Sequence, residues 1–257
     1  MSMRLLFVGD VVSACGCEFL GSKLRMLKSK YNIDVTVVNG ENSAQGNGIT
    51  VHSCNYLTKI GADVITTGNH AFKRRESVEM FDRVEHLLRP FNYPDGVIGK
   101  GVHILDMGRC RIAVVNLMGV VYMEPLENPY TDVMKALEDI DTPNIFVDFH
   151  AEATAEKKGM GYFLDGKVTA VLGTHTHVQT ADETILSGGT AYITDVGMTG
   201  PEESVLGVKK ELAIERQRFN FPVRFIEADT PCFINAVVVE FDEKTGRAIS
   251  IERIIER

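Results

Sequence analysis

The chain has 257 residues, 44% of them apolar and 24% charged, with a formal net charge of −8. That apolar content suffices for a large buried core. Acidic residues spread along the chain gain nothing from counterion release, which excludes a duplex nucleic-acid binder.

In chain order, the apolar run at 5–8 predicts a first buried strand. A helix is predicted over 19–30, where Leu20, Leu24 and Leu27 recur at helical spacing. The run at 35–38 predicts a second strand, 52–60 a helix, and 63–66, centred on Val64 and Ile65, a third strand. The spacing over 76–88 predicts an amphipathic helix. Strands at 102–105 and 112–117 flank a Gly-Arg turn and predict a hairpin. Further strands are expected at 145–148, 168–172, 191–194 and 233–241, the last pairing with 248–255 across a Glu-Lys-Thr-Gly turn. Continuous Val/Ile/Leu runs are typical of strands buried on both faces. Together with the hairpins they predict an α/β chain in which mixed sheets form a two-sheet sandwich covered by helices on its outer faces. No Pro/Gly/Ser-rich stretch separates the apolar segments, so 1–257 is expected to be one domain.

No run approaches the ~18 apolar residues of a membrane-spanning helix, so no membrane partner is expected. The cysteines Cys15, Cys17, Cys54, Cys110 and Cys232 are odd in number, and the N-terminus reads as a strand instead of a signal segment. Reduced thiols in a cytoplasmic protein are the expectation.

Hard donors stand directly after several strands. Phe7-Val8-Gly9 leads to Asp10, Val38-Asn39-Gly40 to Glu41 and Asn42, and Thr66-Thr67-Gly68 to Asn69 and His70. Later, Asp148 and His150 follow one strand, and Gly173-Thr174 leads to His175 and His177. Ligand sites in α/β sheets lie outside the carboxyl ends of strands, so these clusters are expected to converge. Glycine at such points permits unusual φ and close backbone approach. An extended His-x-His segment sends both imidazoles to one side. Imidazole, carboxylate and amide oxygen together suit divalent iron, manganese or zinc. Singly, each motif has a plainer reading: Gly-Asp and Gly-Asn serve turns, and His-x-His pairs occur freely on surface strands. Their combination at strand ends is what points to metal.

Other chemistry-bearing residues have modest expectations. His52, His86 and His103 lack ligand-type neighbours and read as surface or helix-face residues. Lys73-Arg74-Arg75 reads as a solvated face before a helix, and Cys15 and Cys17 as packing residues. Asp148 and Glu152 are suited either to orient an imidazole or to cap a following helix. Asp195, in a strand-end Thr-Asp-Val-Gly-Met, suits either a role behind the metal ligands, holding them in place, or one in shaping a loop.

Gly9-Asp10, Gly68-Asn69-His70 and Gly173-Thr174-His175-Thr176-His177 resemble the calcineurin-like metallophosphoesterases. Gly9-Asp10-Val11-Val12, Gly40-Glu41-Asn42, Asp148 to Glu152 and Thr194 to Met198 are similar to the YmdB-type branch, 2′,3′-cyclic-nucleotide 2′-phosphodiesterase-like proteins of bacteria. The resemblance spans essentially the whole chain. It implies a four-layer α/β/β/α sandwich of two mixed sheets flanked by helices. It also implies two metal ions, one on Asp10, Glu41, Asn42 and His177 and the other on Glu41, Asn69, His150 and His175, with Glu41 shared. The superfamily's usual Asp-x-His is absent, since Val11 and Val12 follow Asp10, and Asn42 stands in for the missing imidazole. Glu41 replaces the usual bridging aspartate, and Ser13-Ala14-Cys15-Gly16 replaces the branch's common Gly-Ser-Pro-Gly turn. Iron is the implied metal, with manganese or zinc as substitutes.

The implied activity is hydrolysis of a cyclic nucleotide by a hydroxide bridging the ions, with His70 giving a proton to the leaving oxygen. A 2′,3′-cyclic nucleotide is the favoured substrate, and 3′,5′-cyclic AMP and phosphomonoesters are the alternatives. The rival from another class is a regulatory or interaction protein whose metal site is mainly structural. Self-association through apolar helix faces completes the expectation.

Overall fold

Alternate residues along the strands enter different apolar layers, and that periodicity sets the architecture. The computed structural model describes residues 1–257. Its first half comprises β1 (Ser2–Val8), β2 (Asp10–Val11), α1 (Ser13–Tyr31), β3 (Val35–Asn39), α2 (Val51–Ile60), β4 (Val64–Thr66), α3 (Met80–Arg83), β5 (Val102–Asp106) and β6 (Arg111–Met118). Then come α4 (Pro129–Glu138), β7 (Ile145–His150), α5 (Thr154–Leu164), β8 (Ala170–Thr174), β9 (Thr184–Ile185), β10 (Ala191–Ile193) and β11 (Met198–Pro201). The chain closes with α6 (Lys210–Phe219), β12 (Cys232–Asp242) and β13 (Ala248–Glu256).

A seven-stranded sheet has the order β2-β11-β12-β1-β3-β4, with β13 beside β12, and a six-stranded sheet has the order β5-β6-β7-β8-β10-β9. Both are mixed. β1 runs parallel to β3 and antiparallel to β12, while β6, β7 and β8 are parallel and β5 is antiparallel to β6.

Met3, Leu5 and Phe7 of β1 meet Ile112 and Val114 of β6, Phe146 of β7 and Leu172 of β8 in the layer between the sheets. Leu6 and Val8 face the other way, against Leu20, Leu24 and Leu27 of α1 and Leu57 of α2. On the far side, Val115, Val147 and Val171 pack under Val133 of α4 and Met160 and Leu164 of α5. The result is the α/β/β/α sandwich that the resemblance implies. No helix is long and apolar enough to cross a membrane.

The inter-sheet layer changes character toward the carboxyl ends of its strands. Continuing the inward parity, Val35 and Val37 give way to Asn39, Val64 to Thr66, Val114 to Asn116, Phe146 to Asp148 and His150, and Leu172 to Thr174. Each of these polar residues is fully or almost fully buried.

The helix predicted over 76–88 does not form as one element. A short 3-10 turn at Arg75–Ser77 and the brief α3 occupy its first part. The chain then turns extended at Val84, and Ile65 N donates to His86 O while Leu88 N donates to Ile65 O, which docks 86–88 beside β4. The physical reason lies in Leu87 and Leu88. Both are wholly buried, Leu87 in the layer under α1 and α2 and Leu88 between the sheets. Only extended backbone sends adjacent side chains to opposite faces, and Arg89 before Pro90 is also biased away from helix.

The helices α4, α5 and α6 escape the apolar-spacing reading. Asn128 caps α4 ahead of Pro129 at its first position, a start signal present in the sequence. The buried side of α5 includes Lys157 and Gly161 alongside Met160 and Leu164, so its hydrophobic spacing is interrupted. In α6 only Ala213 is buried, and Ile214 and Phe219 stay exposed.

Replacing Leu87 or Leu88 singly by alanine is expected to lower stability by a comparable amount, about 2–5 kcal/mol each. Urea denaturation checks this. A large loss at one position and almost none at its neighbour would indicate one-sided, helical burial.

Candidate metal centre

Asp10, Glu41 and His150 are buried to 1% exposure or less, and Asn42 to 4%. They lie where β1, β3 and β7 end, joined by Asn69 beyond β4 and by His175 and His177 beyond β8. The structure brings all of these predicted residues into one cluster. Donor atoms of Glu41, His150 and His175 lie within 4.8 Å of one another. His150 Nε2 is 3.1 Å from Asn69 Oδ1, 3.1 Å from His175 Nδ1 and 3.3 Å from Glu41 Oε1. On the other side of Glu41, Asn42 Nδ2 is 3.1 Å from Glu41 Oε1 and 3.3 Å from His177 Nε2. His177 Nε2 is in turn 3.7 Å from Asp10 Oδ1.

The orientation of His150 follows from hydroxyl arithmetic. The single proton of Thr174 Oγ1 goes to Asp148 Oδ1 at 2.7 Å. The 2.8 Å contact between Thr174 Oγ1 and His150 Nδ1 therefore has the nitrogen as donor. Nε2 is the atom turned toward Glu41, Asn69 and His175. Asp148 thus orients the imidazole through Thr174 and caps no helix, since α5 starts at Thr154 after Ala153 without a side-chain cap. Asn39 Nδ2 (2.9 Å) and Thr66 Oγ1 also donate to Asp148, whose burial, opposed by His150 and these hydroxyls, raises it to about 6. Glu152, the other undecided carboxylate, has Oε2 3.1 Å from His175 Nε2.

The cluster calls for positive charge. Burial opposes a charge on His150, yet Glu41, Asp10 and Asp148 outweigh it and push its pKa up to about 9. Burial and the adjacent His150 drive His175 down to about 3, leaving it a neutral donor. Glu41 is driven well below the usual carboxylate range, because His150 and His70 outweigh the effect of burial. Asp10 Oδ1 and His177 Nδ1 are buried without a hydrogen-bond partner. Donor atoms sharing one divalent ion at about 2 Å each sit roughly 3 Å apart, so the spacing around His150 fits an ion.

His70 lies at the margin of the cluster. Its Nδ1 is 2.9 Å from Asn42 Oδ1 and 3.0 Å from Glu41 Oε1, and its side chain is 23% exposed.

Glycine at these strand ends serves close approach, not unusual φ. Gly9, Gly40, Gly68 and Gly173 all lie outside the left-handed region. A Cβ on Gly68 would stand 2.1 Å from His150 Cδ2 and 2.4 Å from Glu41 Oε2.

The His-x-His segment is not extended. β8 ends at Thr174, and His175 (φ 103°) and His177 (φ 64°) both take positive φ. Each imidazole consequently faces a different part of the cluster, His175 toward His150 and His177 toward Asp10 and Asn42. This turn is held by a buried ion pair that sequence reading only half found. Asp195 accepts from Lys157 Nζ at 2.6 Å, from Thr176 N at 3.0 Å and from Gly197 N at 2.8 Å. Lys157 also donates to Thr174 O at 2.7 Å. Asp195 was legible as loop-shaping, whereas Lys157, Thr174, Asn39 and Thr66 were missed. Their signal was a polar residue at an inward position or on a helix face that is otherwise apolar.

The remaining residues keep to modest roles. His52 is exposed, and His86 Nε2 is 2.9 Å from Thr58 Oγ1. Arg74 binds the backbone oxygens of Gln45 and Asn47, so the basic triplet is partly structural. All five cysteines are free. A cleft of about 370 Å³ opens over Asn69 and His175, with Tyr122, Met123 and Glu124 as its other lining residues.

Comparison with known proteins decides the family. The family described as YmdB-like protein matches residues 6–254. The chain belongs to the YmdB-like family. It is 46% identical over 255 residues to the 2′,3′-cyclic-nucleotide 2′-phosphodiesterase of Bacillus subtilis (strain 168), covering 98% of this chain and 97% of that protein. Among solved structures, a novel phosphatase of Mycoplasma pneumoniae superposes with a TM-score of 0.94 at 34% identity, covering 100% of this chain and 94% of that one. A protein from Thermus thermophilus gives a TM-score of 0.93 at 37% identity, covering 99% and 100%. The YmdB-like fold and the strand-end cluster therefore come together in this chain.

Alanine at Lys157 or Asp195 leaves the partner charge buried and is expected to cost about 3–5 kcal/mol of stability. The Lys157→Met/Asp195→Leu double variant is expected to recover much of this. Chemical denaturation of the set reads the coupling, and strictly additive losses would show that the two groups act independently.

Proposed function

We propose that this YmdB-like chain is a metal-dependent phosphodiesterase acting on 2′,3′-cyclic nucleotides. The observation that carries the reading is the buried cluster in which ligand-type atoms of Asn69, His175 and Glu41 stand 3.1, 3.1 and 3.3 Å from His150 Nε2, with Asp10 Oδ1 buried nearby without a hydrogen-bond partner. The choice of substrate is supported by the Bacillus subtilis relative, a 2′,3′-cyclic-nucleotide 2′-phosphodiesterase.

Glu41, Asn69, His150 and His175 would hold one ion, and Asp10, Glu41, Asn42 and His177 the other. Turning the Asn42 amide over exchanges Oδ1 and Nδ2 without changing its shape and points the oxygen toward His177. Two ions held there would supply a water of near-neutral pKa and neutralise the phosphoryl oxygens, with iron favoured and manganese or zinc as substitutes. An acidic protein then handles an anion by local charge, and its net −8 is no obstacle.

The chain's own residues do the rest. Asp148 and Thr174 keep Nδ1 of His150 as a donor and Nε2 as a ligand. Lys157 and Asp195 hold the turn that separates His175 from His177. As a water oxygen bonds to phosphorus and the bond between phosphorus and O2′ breaks, the leaving oxygen takes a proton from His70, whose ring is partly exposed beside Asn42 and Glu41. The product carries a 3′-phosphate.

The test is metal-reconstituted turnover of 2′,3′-cyclic nucleotides, 3′,5′-cyclic AMP and a phosphomonoester, with elemental analysis alongside. Wild type should bind two ions per chain and turn over the 2′,3′-cyclic diester. Glu41→Gln should abolish metal-dependent turnover, and His70→Ala should lower kcat by about 10²–10⁴-fold. Absence of metal-dependent turnover above these variants would leave a structural metal site as the better reading.

Thr174→Val removes the hydroxyl between Asp148 and His150 while keeping the shape. It should weaken metal affinity by about 10–100-fold, read by competition with a chelator. Unchanged affinity would mean that Thr174 does not orient the ligand.

A further inference from the structure

Tyr122 is 89% exposed and holds a left-handed backbone at φ 64°, a conformation that aromatic residues rarely adopt. It is not a floppy loop residue. Gly119 N, at the end of β6, donates to His150 O at 2.9 Å. The next two amides, Val120 N and Val121 N, donate to the buried Glu156 carboxylate of α5 at 2.9 and 3.3 Å. The backbone before Tyr122 is thus tied both to β7, which carries His150, and to the helix packed behind it. The aromatic ring lines the same cleft as Asn69 and His175. Met123 adds an apolar wall, and its other contacts are with the core beneath α4 and α5. The cleft volume, about 370 Å³, lies within the range of small-molecule sites.

We infer that Tyr122 is the platform on which the substrate's nucleobase stacks while the phosphodiester lies over Asn69 and His175. The inference rests on the proposed cyclic-nucleotide activity and adds a binding residue to it. A solvent-exposed ring on an anchored backbone beside a phosphoryl site offers a π-face to any base. Stacking needs no hydrogen bond from the phenol, so the base is held with little regard to its identity and the hydroxyl is dispensable.

The experiment compares wild type, Tyr122→Ala and Tyr122→Phe on two substrates that share the reacting ring. These are 2′,3′-cyclic AMP and methyl ribofuranoside 2′,3′-cyclic phosphate, which lacks a base. Tyr122→Ala should raise KM for the nucleotide by about 5- to 100-fold with little change in kcat, and Tyr122→Phe should restore it. On the base-free compound, wild type and Tyr122→Ala should be equal.

Binding is read separately, because the chain contains no tryptophan. Tyr122→Trp places a single indole at the platform. Its fluorescence should be quenched by 2′,3′-cyclic AMP and untouched by the base-free compound. Equal KM for the nucleotide in wild type and Tyr122→Ala, or an equal loss on both substrates, would overturn the stacking role. A wild type that turns over neither compound overturns the parent reading instead, and the platform with it.

Discussion

The carboxylate of Asp148 is the point on which the site is hung. It is fully buried between the sheets and accepts from Asn39 and Thr66 of one sheet and from Thr174 of the other. Burying a carboxylate is costly unless its oxygens are hydrogen-bonded. Here the donors that meet the cost come from β3, β4 and β8, so the group fastens the sheets together at their carboxyl ends. The same Thr174 receives the proton of His150 Nδ1 and thereby turns Nε2 into the cluster. One group both closes the sandwich and sets the orientation of the His150 imidazole.

The location of the centre follows from the same geometry. Along β3, β4, β7 and β8 the inward side chains are apolar until the last one or two, which are polar. Roughly six ångströms of strand, about two residues, therefore separate a dry core from a cluster of carboxylate, amide and imidazole. The close approach of these ends leaves no room for a Cβ at Gly68. The turn after β8 is different in kind, since His175 and His177 adopt positive φ in a backbone that must be held there. The Lys157–Asp195 pair does this by binding Thr174 O and Thr176 N on either side of His175.

How much of this was readable in the sequence depended on which interaction fixed each residue. Gly9-Asp10, Gly40-Glu41-Asn42 and Gly68-Asn69-His70 were legible, because a local pattern of strand, glycine and donor places them. The buried strands were legible from their continuous apolar runs, as were the layers they build. Leu87 and Leu88 misled because a short apolar window fits a helix and a doubly buried strand equally well. Only their division between two separate cores distinguishes them. Lys157 was invisible for a further reason. A lysine on a helix reads as solvated until Asp195, distant in sequence, is known to lie 2.6 Å away. The role of Thr174 as an intermediary was likewise hidden, because it depends on the positions of Asp148 and His150 together.

The site divides its tasks between backbone of different kinds. Donors that face the cluster come from strand ends or from a turn locked by buried charge, where neighbours on several elements constrain them. The cleft beyond is lined by Tyr122, Met123 and Glu124, which belong to a loop where Tyr122 and Glu124 are exposed. Yet that loop is not independent of the centre, because Gly119 binds the carbonyl of His150 itself and Glu156 binds the next two amides. A displacement of β7 would therefore move His150 and the cleft wall together. Rigid coupling of this sort keeps the buried cluster and the cleft wall in register. It also lets the loop's side chains vary without disturbing the donors, since the ties run through backbone amides and leave the exposed side chains free.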